Sequence, residues 1–338
     1  MGGPMLQLTR RAFLCASAAA AAASRADARA ARRIDERGFV RIGGIEQWIA
    51  IQGDDTRNPV VVYLHGGPAE AQSPFLFEFR PWEHDYTVVN WDQRGSGKTY
   101  ERNGAATPGM TVERMTLDAL EVAEYARRRL GKEKVILAGQ SWGCVLGVYA
   151  AVRRPDLFSA YVGTGQPVNW VLSLEGREAF ARSQMRAAHD TAALKALDAV
   201  SSLPPNDVKR LAPTNHWRWA PSDRRYLELQ RAFISASPPS AKADVAAWMA
   251  GGGFSGPKLW PAITAFDARR ITTFRIPVFV IQGRDDHVAS FAPAKAWVAS
   301  LQAPAKRFIA IDGGHFACFT DAPAFVAALQ RYVRPFAA

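Results

Sequence analysis

Cysteine is scarce in this chain: three in 338 residues, far too few for a disulfide framework. No C-x-x-C pair and no H-E-x-x-H run occurs, which leaves a zinc-dependent enzyme without its usual ligand spacing. Histidine is also rare, at six residues, so a general base must come from a short list. No internal repeat is visible, which excludes solenoids and propellers. The Ala-rich run ending at Ala23 is shorter than the ~20 residues needed to cross a bilayer comfortably. The formal net charge is +11, but the basic residues are scattered, with no stripe interleaved by aromatics. That argues against a nucleic-acid partner and for a basic, solvated surface that favours anionic surroundings.

What is present is the make-up of a globular protein, with 48% hydrophobic and 22% charged residues, enough for one large domain or a core with an insertion. The N-terminus carries Thr9-Arg10-Arg11-Ala12-Phe13-Leu14, then the apolar stretch through Ala23, then Ala26-Asp27-Ala28. A charged region, an apolar region and an A-x-A site in that order read as a signal peptide. The arginine pair before Phe-Leu points to twin-arginine export, with an ordinary secretory signal as the alternative. Residues 1–28 are thus expected to engage the twin-arginine export machinery transiently. The mature chain is then periplasmic or secreted, with no stable membrane insertion. Cys15 precedes the apolar run instead of ending it, against a lipoprotein anchor. Cys144 and Cys318 remain, either as buried thiols or as a pair.

Strand signals come first in the chain. Phe39 to Ile42 and Glu46 to Ile51 flank the turn Gly43-Gly44. Continuous apolar runs at Pro59 to Leu64, Thr87 to Trp91, Lys134 to Ala138, Ala160 to Gly163 and Pro277 to Ile281 fit strands buried on both faces. Between them, Thr116 to Leu130 reads as a helix stopped by Gly131, and Trp142 to Arg153 as a small-residue helix. Alternation of this kind predicts a mainly parallel sheet with helices on both faces. From Gln166 to Ala268 the pattern changes to helical stretches (Val171 to His189, Arg224 to Phe233) separated by Pro204-Pro205 and Pro238-Pro239. Gly251-Gly-Gly253 reads there as a flexible break. The expected organisation is a core at 34–165 and 269–338 with a helical cap at 166–268.

Gly139-Gln140-Ser141-Trp142-Gly143 follows a predicted strand and opens a predicted helix, the setting of a nucleophile elbow. The helix N-terminus lends positive potential to developing negative charge. A serine hydroxyl needs a base, and His315, in Asp312-Gly-Gly-His-Phe316 after the apolar run Phe308 to Ile311, is the leading candidate. His84, His189 and His216 lack a strand-end setting, and His287 directly follows the candidate acid. That acid comes from Gly283-Arg-Asp285-Asp286, at the end of a strand: Asp286 is preferred, with Asp285 the alternative. His65-Gly66-Gly67-Pro68 also follows a strand. Backbone N–H groups of Gly67 and Trp142 are the natural pair to hold an oxyanion, since Pro68 has none. Arg94-Gly-Ser-Gly-Lys-Thr99 looks superficially like a phosphate-binding loop but lacks the leading glycine, and reads as a structural turn.

Together, His65-Gly-Gly-Pro68, Trp91-Asp-Gln-Arg-Gly-Ser-Gly-Lys-Thr99, Gly139-Gln-Ser-Trp-Gly143, Gly283-Arg-Asp-Asp286 and Gly-Gly-His315 resemble the proline iminopeptidase family. The resemblance implies an α/β-hydrolase fold with an inserted helical cap and no cofactor. It makes Ser141 the nucleophile, Asp286 the acid, His315 the base, and Gly67 with Trp142 the oxyanion donors. Two departures bear on substrate. Ala69-Glu70 stands where the family continues with glycine, and Trp217-Arg218-Trp219-Ala220 replaces a cap run ending in an amine-binding glutamate. Arg210, Arg224 and Arg225 lie nearby. Glu70, Glu175 or Glu178 is left to replace the missing acid, with Trp217 and Trp219 as further substrate contacts. The expected function is hydrolysis of an ester or amide in a small molecule or short peptide through an acyl-serine. The cleavage is that of an aminopeptidase, or of an esterase or lactonase on a non-peptide. A non-catalytic ligand-binding protein on the same fold is the reading from another class.

Overall fold

A computed structural model describes residues 32–337, so the expected export signal and its Cys15 lie outside the described residues. Eight strands form one sheet: β1 (Ile34–Ile42), β2 (Ile45–Gly53), β3 (Val60–Leu64), β4 (Thr87–Trp91), β5 (Val135–Gln140), β6 (Phe158–Thr164), β7 (Val278–Gly283) and β8 (Lys306–Ile311). Their spatial order is β1-β2-β4-β3-β5-β6-β7-β8. β1 and β2 pair antiparallel, β2 meets β4 antiparallel, and every other pairing is parallel.

β3 shows why its sequence is continuously apolar. Val60, Val62 and Leu64 face one packed layer, while Val61 and Tyr63 face the other, as the two-residue period of a strand requires. The first layer holds α1 (Val112–Leu130) and α2 (Trp142–Arg153), and the second is built around Phe79, Trp82 and Phe325. α1 ends at Gly131 with φ 63°, as its composition predicts. It begins four residues before the expected Thr116, because the Thr111 side chain accepts from Arg114 N and caps an earlier turn.

Of the expected structural turn at Arg94–Thr99, Arg94 to Ser96 form a turn and Gly97 to Thr99 open a short helix (Gly97–Asn103). Arg94 donates to Asp118 on α1 at 2.7 and 3.1 Å and to the carbonyls of Pro108 and Gly43 at 2.9 Å. Asp92 accepts from Ser73 and from Lys98 N, and burial pushes its carboxyl up to about 6.

Between β6 and β7 lie α3 (Trp170–Ala187), α4 (Thr191–Val200), α5 (Pro221–Ala236) and α6 (Pro239–Ala265), with no strand among the described residues. The two ends of this insertion are joined by the Asn169–Asp267 bridge and by Ala268 N donating to Val168 O at 2.7 Å. Gly251-Gly-Gly253 is not a break: it lies inside α6. A side chain at Gly251 would press on Gly95 O and Ser96 Cα, both 3.0 Å from the position of its Cβ, so this glycine permits close packing where flexibility was expected. Ser255 reinforces the contact by donating to Gly95 O at 2.7 Å. Cys144 and Cys318 are free, buried thiols, which closes the question of a pair. No helix among the described residues is long and apolar enough to cross a membrane.

Candidate active site

Ser141 sits where β5 turns into α2, with φ 51° and ψ −118°, a conformation costly for a residue with a side chain. Its N–H donates to Thr164 O at 3.0 Å, and its carbonyl accepts from Cys144 N at 2.9 Å. Gly143 is required because a Cβ there would collide with the Leu64 carbonyl. The sharp turn leaves Ser141 and the first residue of α2, Trp142, lining a cavity of about 650 Å³ together with His315 and Gly67.

His315 follows β8 and Asp286 follows β7, and the two meet. Nδ1 of His315 lies 3.1 and 3.0 Å from Oδ1 and Oδ2 of Asp286, and the two residues are 4% and 1% exposed. Asp286 is held in turn by Val288 N and Ala289 N, each at 2.9 Å, and by Gln282 Nε2 at 3.2 Å. Asp285 is exposed, so the geometry separates the two candidates. A carboxylate at Nδ1 fixes the tautomer with the proton there and leaves Nε2 free to accept. Burial opposes charge on this ring, but the Asp286 carboxylate and its hydrogen bond more than offset it, so the pKa lies above the usual imidazole value.

The loop after β3 is fixed by a different histidine. His65 is fully buried; its Nε2 accepts from Gln93 N at 3.1 Å, and its Nδ1 lies 2.9 Å from Gly66 O. Burial drives its pKa down to about 4, so this is a neutral structural ring. Gln93 also donates to His65 O and accepts from Trp142 Nε1. It thereby ties the two expected oxyanion donors into one frame, a role its motif alone did not reveal. Gly67 has φ 107° and Ala69 has φ 74°, so Ala69 adopts the left-handed backbone that glycine takes without cost.

The expected substrate contacts divide. Glu70 and Trp219 line the cavity, with the Trp219 ring 6.3 Å from that of His315. Glu175 does not: it is exposed on α3. Glu178 is paired with Arg210 at 2.8 Å, which also neutralises one of the basic residues noted in this stretch. Trp217 packs against the Ala181, Met185 and Leu197 cluster within the insertion. His287 stacks on Phe180 with ring centroids 3.6 Å apart, consistent with a neighbour of the acid.

Three residues had no signal strong enough to find them. Asp223, in the first turn of α5, accepts from His315 N at 2.8 Å and from Phe316 N at 3.1 Å, so the insertion grips the backbone of the histidine loop. Its sequence position reads only as an acid at a helix start. Arg177 and Arg218 both line the cavity; Arg177 reads in sequence as an ordinary charged surface residue, and Arg218 stands out only as part of the Trp217-to-Ala220 run.

Against known proteins, a family model for the alpha/beta hydrolase fold matches residues 59–322. The chain is 27% identical over 283 residues to the probable aminopeptidase YbaC of Bacillus subtilis, covering 80% of this chain and 87% of that protein. It is 38% identical to a probable proline iminopeptidase of Streptomyces coelicolor, but over 114 residues only, a third of each chain. Among solved structures it is similar to the proline iminopeptidase of Mycobacterium smegmatis, with a TM-score of 0.62 at 20% identity, covering 89% of this chain and 98% of that one. That last likeness is one of fold.

Proposed function

The chain belongs to the alpha/beta hydrolase fold family, and on that premise we propose that it is an exported serine hydrolase that cleaves an ester or amide through an acyl-Ser141 intermediate. The observation that carries this reading is a buried histidine, His315, held by Asp286 and lining one cavity with a serine on a strained strand-to-helix turn. Nε2 of His315 takes the proton as Ser141 Oγ attacks the carbonyl carbon, and the Asp286 charge stabilises the imidazolium that forms. The oxyanion is held by the N–H groups of Gly67 and Trp142. His315 then protonates the leaving alcohol or amine, and a water activated by the same ring releases the acid product.

Ser141→Ala is expected to lower kcat/KM by at least about 10⁴-fold with an unchanged melting temperature. Activity within tenfold of the parent, or failure of a fluorophosphonate to label Ser141, would remove the proposal. Export is supported by the Arg10-Arg11 pattern. Replacing both by Lys should trap the protein in the cytoplasm, and undiminished export of that variant would point to the ordinary secretory route.

Aminopeptidase action is the second reading. Glu70, a carboxylate on the cavity wall, is a counter-ion for a substrate amine, and the Bacillus relative carries an aminopeptidase name. Turnover of a proline arylamide against a 4-nitrophenyl ester discriminates the two. Negligible arylamide cleavage beside rapid ester turnover would leave an esterase.

A further inference from the structure

Two guanidinium groups face the cavity without a carboxylate bound to either. Arg177, 6% exposed on α3, donates only to neutral acceptors: Nε to Thr214 Oγ1 at 2.6 Å, and Nη2 to Leu211 O and Asn215 Oδ1 at 3.0 Å each. Arg218 donates from Nη1 to that same Asn215 oxygen. Its Nε is buried with no hydrogen-bond partner, and its guanidinium carbon lies 4.2 Å over the Trp219 ring. One amide oxygen therefore holds two cations side by side at the wall of a cavity.

Such an arrangement is costly without an anion. Burial, and for Arg177 the repulsion of Arg218, push the two groups down to about 9 and about 10. Glu70 is the one carboxylate among the lining residues, and it makes no hydrogen bond to either arginine among the described residues. Burial also raises its own pKa, against the pull of His315 and Arg218. Two fixed cations thus outnumber one carboxylate whose ionisation is disfavoured. Much of the remaining wall is apolar, including Trp142, Trp170, Trp260, Ile263 and Phe266.

We propose that Arg177 and Arg218 form an anion-binding subsite that selects substrates carrying a free carboxylate on an apolar body, away from the bond that is cleaved. A guanidinium fork matches a carboxylate in two directions at once, and a bound anion supplies the charge this wall lacks. The substrate class rests on the hydrolase reading above; the binding of the anion does not.

The test separates the two. Ser141→Ala is titrated with heptanoate and with heptanamide, following the fluorescence of the tryptophans in the cavity wall. The carboxylate is expected to bind at least about tenfold more tightly, and Arg218→Gln or Arg177→Gln in that background to bring the two ligands within about threefold. Equal binding of acid and amide, or a preference that survives both substitutions, overturns the subsite whatever the enzyme's activity. With Ser141 restored, two substrate pairs place the charge: mono-4-nitrophenyl pimelate against 4-nitrophenyl heptanoate, and 4-acetoxybenzoate against 4-acetoxybenzamide. A lower KM for the charged member of at least one pair, lost in Arg218→Gln, is the expected result. No preference in either pair overturns the selection of substrate. Failure of a fluorophosphonate to label Ser141 strikes the hydrolase reading alone.

Discussion

Arg94 and Arg218 are both guanidiniums with buried donors, the first fully buried in the loop after β4 and the second half-buried in the helical insertion. Arg94 is matched: Asp118 takes two of its donors, and the Pro108 and Gly43 carbonyls take one each. Arg218 is not matched: one amide oxygen takes Nη1, a ring lies under its plane, and Nε has no partner. The same contrast runs through the carboxylates. Asp286 accepts from the amides of Val288 and Ala289, from Gln282 and from His315, whereas Glu70 faces the cavity with its pKa raised by burial. Charge in the sheet region is finished business, set up to hold one geometry. At the cavity wall, Arg218 of the insertion and Glu70 of the loop after β3 lack such partners and are left open to whatever enters.

That contrast can be broken at several strengths. The largest effect belongs to the His315–Asp286 pair of the sheet region. Asp286→Asn keeps the shape but reverses the hydrogen bond that fixes the His315 tautomer, and kcat should fall by about 10³- to 10⁴-fold. A loss below tenfold would show that the pair is structural.

Next is stability. Arg94→Met leaves the buried Asp118 carboxylate with Arg114 as its remaining cation and the Pro108 and Gly43 carbonyls without their donor, and should cost about 2–4 kcal/mol in denaturant unfolding. Arg218→Met removes an unmatched charge while keeping an apolar stem over Trp219, and should change stability by less than about 1 kcal/mol. Equal costs for the two would erase the distinction between regions.

The smallest effect tests where the regions meet. Asp223→Ala removes both hydrogen bonds from the insertion to the histidine loop and should lower stability by about 1–3 kcal/mol. Because the loop then positions His315 less well, kcat/KM should fall by about tenfold. An unaltered kcat/KM would mean that the loop holds its geometry without the insertion.

How much of this was legible beforehand depended on how local the cause was. The bounds of β4 and α2 agree with the sequence pattern to the residue, because a continuous apolar run closed by Asp92 and a small-residue helix closed before Pro155 are complete signals in themselves. Ser141, His315 and the acid were legible for a related reason: each lies within a few residues of the end of a strand, and these strand ends share one edge of the parallel sheet. Asp286 was preferred over Asp285, and the structure agrees with that preference, although adjacent residues differ only in which way the loop turns them.

The insertion was legible as helical and little more. Glu175 and Glu178 share a helix face by spacing, but that face meets solvent and Arg210 instead of the cavity. Trp217 turns into the packing between α3 and α4, and Trp219, two residues on, turns toward His315. In both cases the side a residue presents is decided by neighbours far away in the chain. Gly251 was misread for that reason too: glycine marks freedom when a chain is read alone, and close approach when Gly95 and Ser96 lie against it.

By itself, then, the sequence determined the strands, the sharp turn at Ser141 and the chain order of the serine, the acid candidates and the histidine, because strand burial, turn chemistry and helix capping act over a few residues. Tertiary structure alone decided which helix grips the histidine loop, and that two arginines forty-one positions apart share one oxygen at the cavity wall. Burial and charge pairing depend on every element that packs around a group, and no local stretch of chain contains that information.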